Sequence, residues 1–380
     1  MTERLYDQHP EMMTFTAQVL SCEEKQGQYA VALDRTAFFP EGGGQGADHG
    51  TLGGANVLDV HESQGMVTHT VDRPLEVGAE VMGEVDAVRR LSMTQQHSGE
   101  HIFTGIIHGK YGYDNVGFHI GTDAVTVDFN GPLTEEQVRE AEREANEVIW
   151  RNTPIHAWYP SKEELDAMSY RSKKAIDGDV RIVNVEGVDT CACCGTHVPT
   201  AGGVGQIKVI NMMNYKGGVR VFILCGMRAL DAENEILDEN HAVSHALSAK
   251  QGSLTDAVNR LLEERDRLKA RCAELGQLAF NSAAAAETGS VRLVVADMLD
   301  TSQLRKAAGT LADGAKYGMA LIPKGDGWSY ALSSQTEDVR GAAKALNERF
   351  GGKGGGPKDM VQGLLSGGSM AEIRALLETL

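Results

Sequence analysis

From residue 12 to about residue 90 the chain alternates short apolar runs with turns. Phe15 to Leu20, Tyr29 to Leu33, Ala55 to Val60 and Met66 to Val71 carry the β-branched and aromatic content of strands. Between them lies Glu41-Gly42-Gly43-Gly44-Gln45-Gly46, too rich in glycine for regular structure and therefore read as a shaped loop. The pattern predicts a small β-barrel-like domain over residues 1–90.

The period then changes. Leu91, Ile102, Ile106 and Ile107 recur at helical spacing within 89–111, and a strand-like run from Ala124 to Phe129 follows. Thr134 with Gln137 forms a capping box, ahead of a stripe made by Val138, Ala141, Ala145 and Val148; Ser161 with Glu164 offers a second box. Val180 to Val185 reads as a strand with a cysteine-rich loop after it, and Ile207 to Ile210 and Val219 to Leu224 read as closing strands. Residues 91–228 are expected to form one α+β domain.

Residues 229–287 are charged and helical in pattern. Leu254, Leu261, Leu268 and Leu275 recur every seven residues, Val258 and Cys272 occupy the alternate apolar positions, and Arg265 interrupts that second seam. An intramolecular helical hairpin and an intermolecular coiled coil both fit. After Ala283–Ala286 and Gly289, Val291 to Val295, Thr301 to Ala312, Met319 to Ile322 and Asp338 to Phe350 alternate β, α, β, α. Gly351-Gly352-Lys353-Gly354-Gly355-Gly356 and a terminal helix complete an α/β domain over 288–380, and that glycine run has the spacing of neither a Walker loop nor a dinucleotide fingerprint. The fold class expected for the whole is α+β.

Composition narrows the reading. The 380 residues hold 42% apolar and 23% charged side chains, the balance of a globular protein, with no long apolar run and no basic-then-apolar leader, so a cytoplasmic location away from membranes is expected. A net charge of −17 argues against a generic nucleic-acid binder but leaves room for a local basic groove. Its candidates are Arg89, Arg90, Arg171, Lys173, Lys174, Lys208, Lys216 and Arg220. Six cysteines, three of them at Cys191, Cys193 and Cys194, suggest a metal or a reactive thiol in a reducing compartment.

His97 and His101 stand four residues apart in the expected helix, so both imidazoles project from one face a turn apart. Cys193 and His197 repeat that spacing. Three nitrogens and one thiolate make a donor set for tetrahedral zinc. Cys191 and Cys194 are rival ligands whose spacing to His197 fits less well. His97-Ser98-Gly99-Glu100-His101 also matches the signature of inverted-zincin proteases. Such a protease wants a distant carboxylate as third ligand, and Gly99 would weaken its helix at the centre.

Two histidines four apart, followed about ninety residues later by Cys-x-Gly-Thr-His, resemble the editing domain of alanyl-tRNA synthetase and, more closely, the free-standing AlaX-type alanyl-tRNA editing proteins. Thr36-Ala37-Phe38-Phe39-Pro40-Glu41-Gly42-Gly43-Gly44-Gln45, continued by Asp48 and Gly50, is similar to the glycine-rich motif of their N-terminal domain. Lys216-Gly217-Gly218-Val219-Arg220 fits the last strands of that family. The 351–356 glycine run with Asp359-Met360-Val361-Gln362-Gly363 resembles the synthetase's DHH-associated C-terminal domain, which marks the long AlaX type. One departure stands out: Cys194 occupies the first glycine of the usual Cys-Gly-Gly-Thr-His.

The resemblance implies an aminoacyl-tRNA hydrolase that removes serine or glycine from tRNA for alanine. With no aminoacylation motifs ahead of the barrel, it is expected to edit in trans. An apolar synthetic pocket rejects one added hydroxyl only ~100-fold, so serine needs a second check. An editing site can spare alanine if a buried polar partner for the hydroxyl is left unpaired, which costs ~1–3 kcal/mol. By motif position Thr36 is the candidate partner, Gln45 the group that positions water or steadies the oxyanion, and Gly42, Gly43 and Gly44 the backbone that approaches the ester. Zinc could activate a water or orient the substrate's α-amino group. A non-catalytic tRNA-binding module with a structural zinc is the alternative, and a DHH-type phosphodiesterase is disfavoured for want of its Asp-His-His motif. A homodimer through residues 250–275 or the C-terminal domain is a further expectation.

Overall fold

The computed structural model describes residues 1–172, 179–250, 252–300 and 302–380. Lys173 and Lys174, named above as groove candidates, lie outside the described residues, as does Thr301 at the start of an expected helix. The chain divides into two compact units, Met1–Asn240 and His241–Leu380, and mixes helices with several sheets in an α+β arrangement.

In the first unit, six strands form a closed barrel: β1 (Thr14–Lys25), β2 (Gln28–Leu33), β3 (Gly50–Leu52), β4 (Ala55–Ser63), β5 (Met66–Val71) and β6 (Glu80–Val85), in the order β1-β2-β5-β4-β3-β6 with β6 returning to β1. Inward positions alternate along β1 as Phe15, Ala17 and Val19 and along β5 as Val67, His69 and Val71, so the pleat puts every second side chain into a core shared with Val31, Leu33, Phe38 and Leu52. β6 reads Glu-Val-Met-Gly-Glu-Val, without an evident strand signature, because Gly83 must admit the ring of Phe15.

Helix α1 (Ala87–Tyr111) follows at once. The Asp86 carboxylate caps it by accepting from the backbone N–H groups of Val88 and Arg89, and Gly112, in the left-handed region at φ 70°, ends it. α1 packs on a four-stranded sheet of β7 (Asn115–Ile120), β8 (Val125–Phe129) and, further along the chain, β12 (Ile207–Tyr215) and β13 (Gly218–Cys225), ordered β12-β13-β8-β7. Between them come α2 (Glu135–Trp150), with its capping box formed, and a three-stranded sheet, β9 (Ile155–Trp158), β10 (Ile182–Val185) and β11 (Asp189–Ala192). Ile102, Phe103, Val127, Val138, Ala145 and Val221 share one buried core. Gly99 belongs to this packing: a Cβ there would overlap Sγ of Cys225, so the glycine lets α1 approach the sheet instead of merely weakening the helix. Cys191, expected in a loop, lies on β11 and only Cys193 and Cys194 follow it. Helix α3 (Gly226–Ala246) runs to the unit boundary and beyond.

The second unit contains α4 (Leu254–Ala286), β14 (Val291–Val295), α5 (Leu304–Ala312), β15 (Tyr317–Lys324), β16 (Gly327–Ser333), α6 (Val339–Arg349), β17 (Lys353–Gly355), β18 (Met360–Leu365) and α7 (Met370–Thr379). The sheet order is β14-β15-β16-β18-β17, with only the first pair parallel. The glycine run supplies the edge strand β17; a Cβ on Gly354 would sit 2.7 Å from Oη of Tyr330, so close packing accounts for that glycine. On α4, Leu261 and Leu268 are 52% and 53% exposed, leaving their apolar seam in solvent. Among the described residues no helix is long and apolar enough to cross a membrane.

Candidate metal centre and cavity

The site assembles where α1, the loop after β11 and the glycine-rich barrel loop meet. His97 and His101 face the same way from α1, with ring centroids 5.6 Å apart, and each lies 4.8 Å from the ring of His197. One ligand atom from each of His97, His101, Cys193 and His197 falls within 4.8 Å of the others. The structure thus brings together the two pairs read from spacing.

What holds the imidazoles is more informative than their proximity. His97 Nδ1 donates to Oε1 of Gln45 at 2.8 Å, and its Nε2 lies 3.2 Å from Sγ of Cys193. His101 Nδ1 faces Oδ2 of Asp189 at 3.1 Å. His197 Nδ1 faces Oγ of Ser98 at 3.4 Å; that hydroxyl donates to the Thr94 carbonyl at 2.8 Å and so is an acceptor for the ring. Each ring therefore spends Nδ1 on an outer oxygen and presents Nε2 inward. His197 Nε2 is buried without a protein partner. Convergent Nε2 atoms with a thiol fit a tetrahedral metal site, and the donor set suits a borderline-soft divalent ion such as zinc.

Electrostatics agree with a thiolate ligand. Burial opposes ionisation of Cys193, but the neighbouring His97, His101 and His197 outweigh it and hold the thiol well below its ordinary range. Burial also works against a charged His101, yet Cys193 and Asp189 raise it well above the usual imidazole value. His197 is pushed down to about 3 by burial, so it stays neutral with a lone pair to offer. The Cys193–His197 turn is cramped: a Cβ on Gly195 would overlap the His97 ring. Arg181 pins the turn by donating to the Gly195 carbonyl at 2.9 Å and the Cys193 carbonyl at 3.2 Å. Cys194 is exposed and outside the four-ligand group. Cys191 is buried and falls in a second grouping, with His101 and Asp189.

A cavity of about 470 Å³ opens over the centre, lined among others by Gly43, Gly44, His97, His101, Phe118 and Cys193. Gly42 and Gln45 exchange backbone hydrogen bonds across a tight turn whose next residues, Gly43 and Gly44, have φ of 61° and 85°. A Cβ on Gly44 would stand 2.6 Å from the Phe118 ring, so glycine here lets β7 close against the loop. Gly42 is not part of that lining.

The other two expected site residues sit deeper. Gln45 is 1% exposed, and its amide is fully engaged: Oε1 accepts from His97 and from the Thr196 N–H, while Nε2 donates to the Thr196 hydroxyl at 3.0 Å. Thr36 is enclosed by the barrel. Its Oγ1 accepts from the Phe38 N–H at 3.1 Å and meets His69 Nε2 at 2.8 Å, and it does not line the cavity. Both residues are buried, and neither is among the residues that line the cavity. The sequence offers no site role for Asp189, Ser98 or Arg181 and gives Arg171 only as a groove candidate; no periodicity or motif marks their contacts, because these arise between distant segments. Glu100, within the protease-like signature, accepts from the Asn115 amide. Four of the six described groove candidates are ion-paired. Arg171 pairs with Asp189, Arg220 with Asp128, Lys208 with Glu142 and Arg90 with Asp48.

Comparison with known families agrees with this geometry. The pattern of the threonyl and alanyl tRNA synthetase second additional domain matches residues 180–221, which include Cys193 and His197, and that of the class II (A) tRNA synthetases matches residues 7–89. The alanyl-tRNA editing protein AlaX-L of Pyrococcus horikoshii is 28% identical, over 96% of this chain and 94% of its own length. The alanine–tRNA ligase of Ignicoccus hospitalis is 30% identical over 93% of this chain and 40% of the ligase. That of Pyrobaculum aerophilum is 33% identical over 96% of this chain and 43% of the ligase. The chain thus spans about two fifths of the length of these ligases.

Proposed function

We propose, on the likeness to the AlaX-L alanyl-tRNA editing protein and to the matching portion of the alanine–tRNA ligases, that this chain hydrolyses the ester of tRNA for alanine wrongly charged with serine or glycine. The observation that carries the reading is the inward convergence of three Nε2 atoms and one thiol beneath a cavity lined by Gly43 and Gly44. His97, His101, Cys193 and His197 would hold zinc. When bound, zinc supplies Lewis acidity, which polarises a carbonyl or lowers the pKa of a water.

The chain's own groups do the rest. The cavity admits the aminoacyl end of the tRNA beside the His97 and Cys193 side chains, and the backbone of Gly43 and Gly44 lets the ester come close. Phe118, 5.0 Å from the His97 ring, covers one side and keeps bulk water from it. Gln45 sets His97 in its tautomer, and Thr36 holds His69 and the start of the 36–45 segment. The leucines exposed on α4 support a homodimer through that helix.

One observation favours a second reading. Four protein ligands fill a tetrahedral shell, as in structural zinc sites, which fits a tRNA-binding module without hydrolysis. Purified chain incubated with seryl-, glycyl- and alanyl-tRNA, with and without a chelator, separates the two. The proposal expects loss of the seryl or glycyl ester, retention of the alanyl ester and inhibition by chelation. No ester loss, or equal loss of all three, overturns it.

A further inference from the structure

We infer that Asp189 is a positioning residue for His101, and that Arg171 holds it in that task; the inference rests on the metal site proposed above. Asp189 begins β11, and its side chain is 3% exposed. Its Oδ2 accepts from His101 Nδ1 at 3.1 Å and from Arg171 Nη2 at 2.8 Å, while Oδ1 accepts from Arg171 Nε at 2.8 Å. The fork of the guanidinium leaves the carboxylate little freedom to rotate. Arg171 is itself fixed: Nη2 donates to Thr104 Oγ1 at 3.1 Å, its N–H to the Thr190 carbonyl at 2.9 Å, and its carbonyl accepts from Ala192 at 2.8 Å. Gly105, on α1, makes the approach possible, since a Cβ there would stand 2.6 Å from Cβ of Asp189.

This arrangement decides which of two neighbouring groups His101 joins. It could serve either His97, Cys193 and His197, or Asp189 and Cys191. With Nδ1 donated to Asp189, Nε2 is the nitrogen left for a metal, and it faces the four-residue group. A cation bound by Asp189 and Cys191 would instead have to displace the bidentate Arg171. An ion pair serving only to tie β11 to the 169–172 segment would have no use for the His101 contact.

Zinc affinity, read by competition with a chromophoric chelator, tests the inference alongside the cobalt(II) absorption spectrum and the thermal midpoint of metal-free protein. Asp189→Ala is expected to weaken zinc binding by about 10–100-fold and to alter the cobalt bands. Asp189→Asn should restore most of the affinity, because an amide oxygen still accepts from Nδ1. It also keeps the test open if the alanine variant fails to fold. Arg171→Met should weaken binding less than Asp189→Ala, and the double variant no more than Asp189→Ala alone. Zinc affinity unchanged in Asp189→Ala, with only the thermal midpoint lowered, overturns the inference. Failure of the unsubstituted chain to take up zinc would instead overturn the metal reading beneath it.

Discussion

Arg90, at the start of α1, and Asp48, at the end of the glycine-rich loop, form an ion pair in which both side chains are at most 1% exposed. Nε of Arg90 reaches Oδ2 of Asp48 at 2.9 Å, and the same oxygen accepts from the Phe39 N–H at 2.7 Å. Arg90 Nη1 donates in addition to the Pro10 carbonyl at 2.8 Å. The pair therefore clamps the barrel loop carrying Gln45 to the helix carrying His97. Asp48→Ala strands a buried guanidinium and should cost about 3–5 kcal/mol of unfolding free energy. Urea unfolding of the metal-free protein measures this; a loss under 1 kcal/mol would show the clamp to be dispensable.

The turn between Cys193 and His197 distinguishes two adjacent residues. Gly195→Ala pushes a methyl into the His97 ring and should abolish stoichiometric zinc uptake together with ester hydrolysis. Cys194→Gly, at an exposed position, should keep both within about twofold. Metal analysis of the two purified variants checks this, and a zinc-replete Gly195→Ala protein would contradict it.

Stability should depend on pH through His69. Burial holds its pKa at about 4, against about 6.5 in an unfolded chain. The buried ring must remain neutral, so its contribution is complete above pH 6.5 and is lost as the pH falls towards 4, by up to ~3 kcal/mol. Unfolding free energies at pH 7 and pH 4.5 should fall less steeply in His69→Gln than in the unsubstituted chain. Parallel slopes would exclude His69 as the source.

Leu261→Gln combined with Leu268→Gln targets the exposed seam of α4. If two copies pack there, the pair of changes should convert dimer to monomer at micromolar concentration, as measured by light scattering, without altering the helical circular dichroism. A chain that is monomeric before substitution would remove this interface from consideration.

How much of this was legible beforehand varies with the range of the interaction. His97 with His101 is a within-turn relation on a helix, and Cys193 with His197 lies within one loop, so spacing alone exposes both pairs. The capping boxes at Thr134 and Ser161 are equally local and are present. Ser98 and Asp189 carry no such mark, since their value depends on a ring that reaches them only after folding. Gly99 reads as a weak point in a helix, and Gly105 carries no signal of its own. Their reason lies on the other side of the contact, in Cys225 and Asp189. Strands β6, β9, β11 and β16 escaped notice because polar residues, glycines or short length hide their alternation. Thr36 and Gln45 stand out by motif, but their burial depends on the folded barrel and is not legible from the motif.

The order in which the ligands occur along the chain bears on how the centre is made. About ninety residues separate His101 from Cys193, and ribosomes add roughly 5–20 residues per second. A nascent chain thus exposes two imidazoles, with Gln45 already synthesised, for several seconds before any sulfur ligand emerges. Capture of the proposed ion would have to wait for β11 to dock beside α1, so loading would report that these two segments have joined.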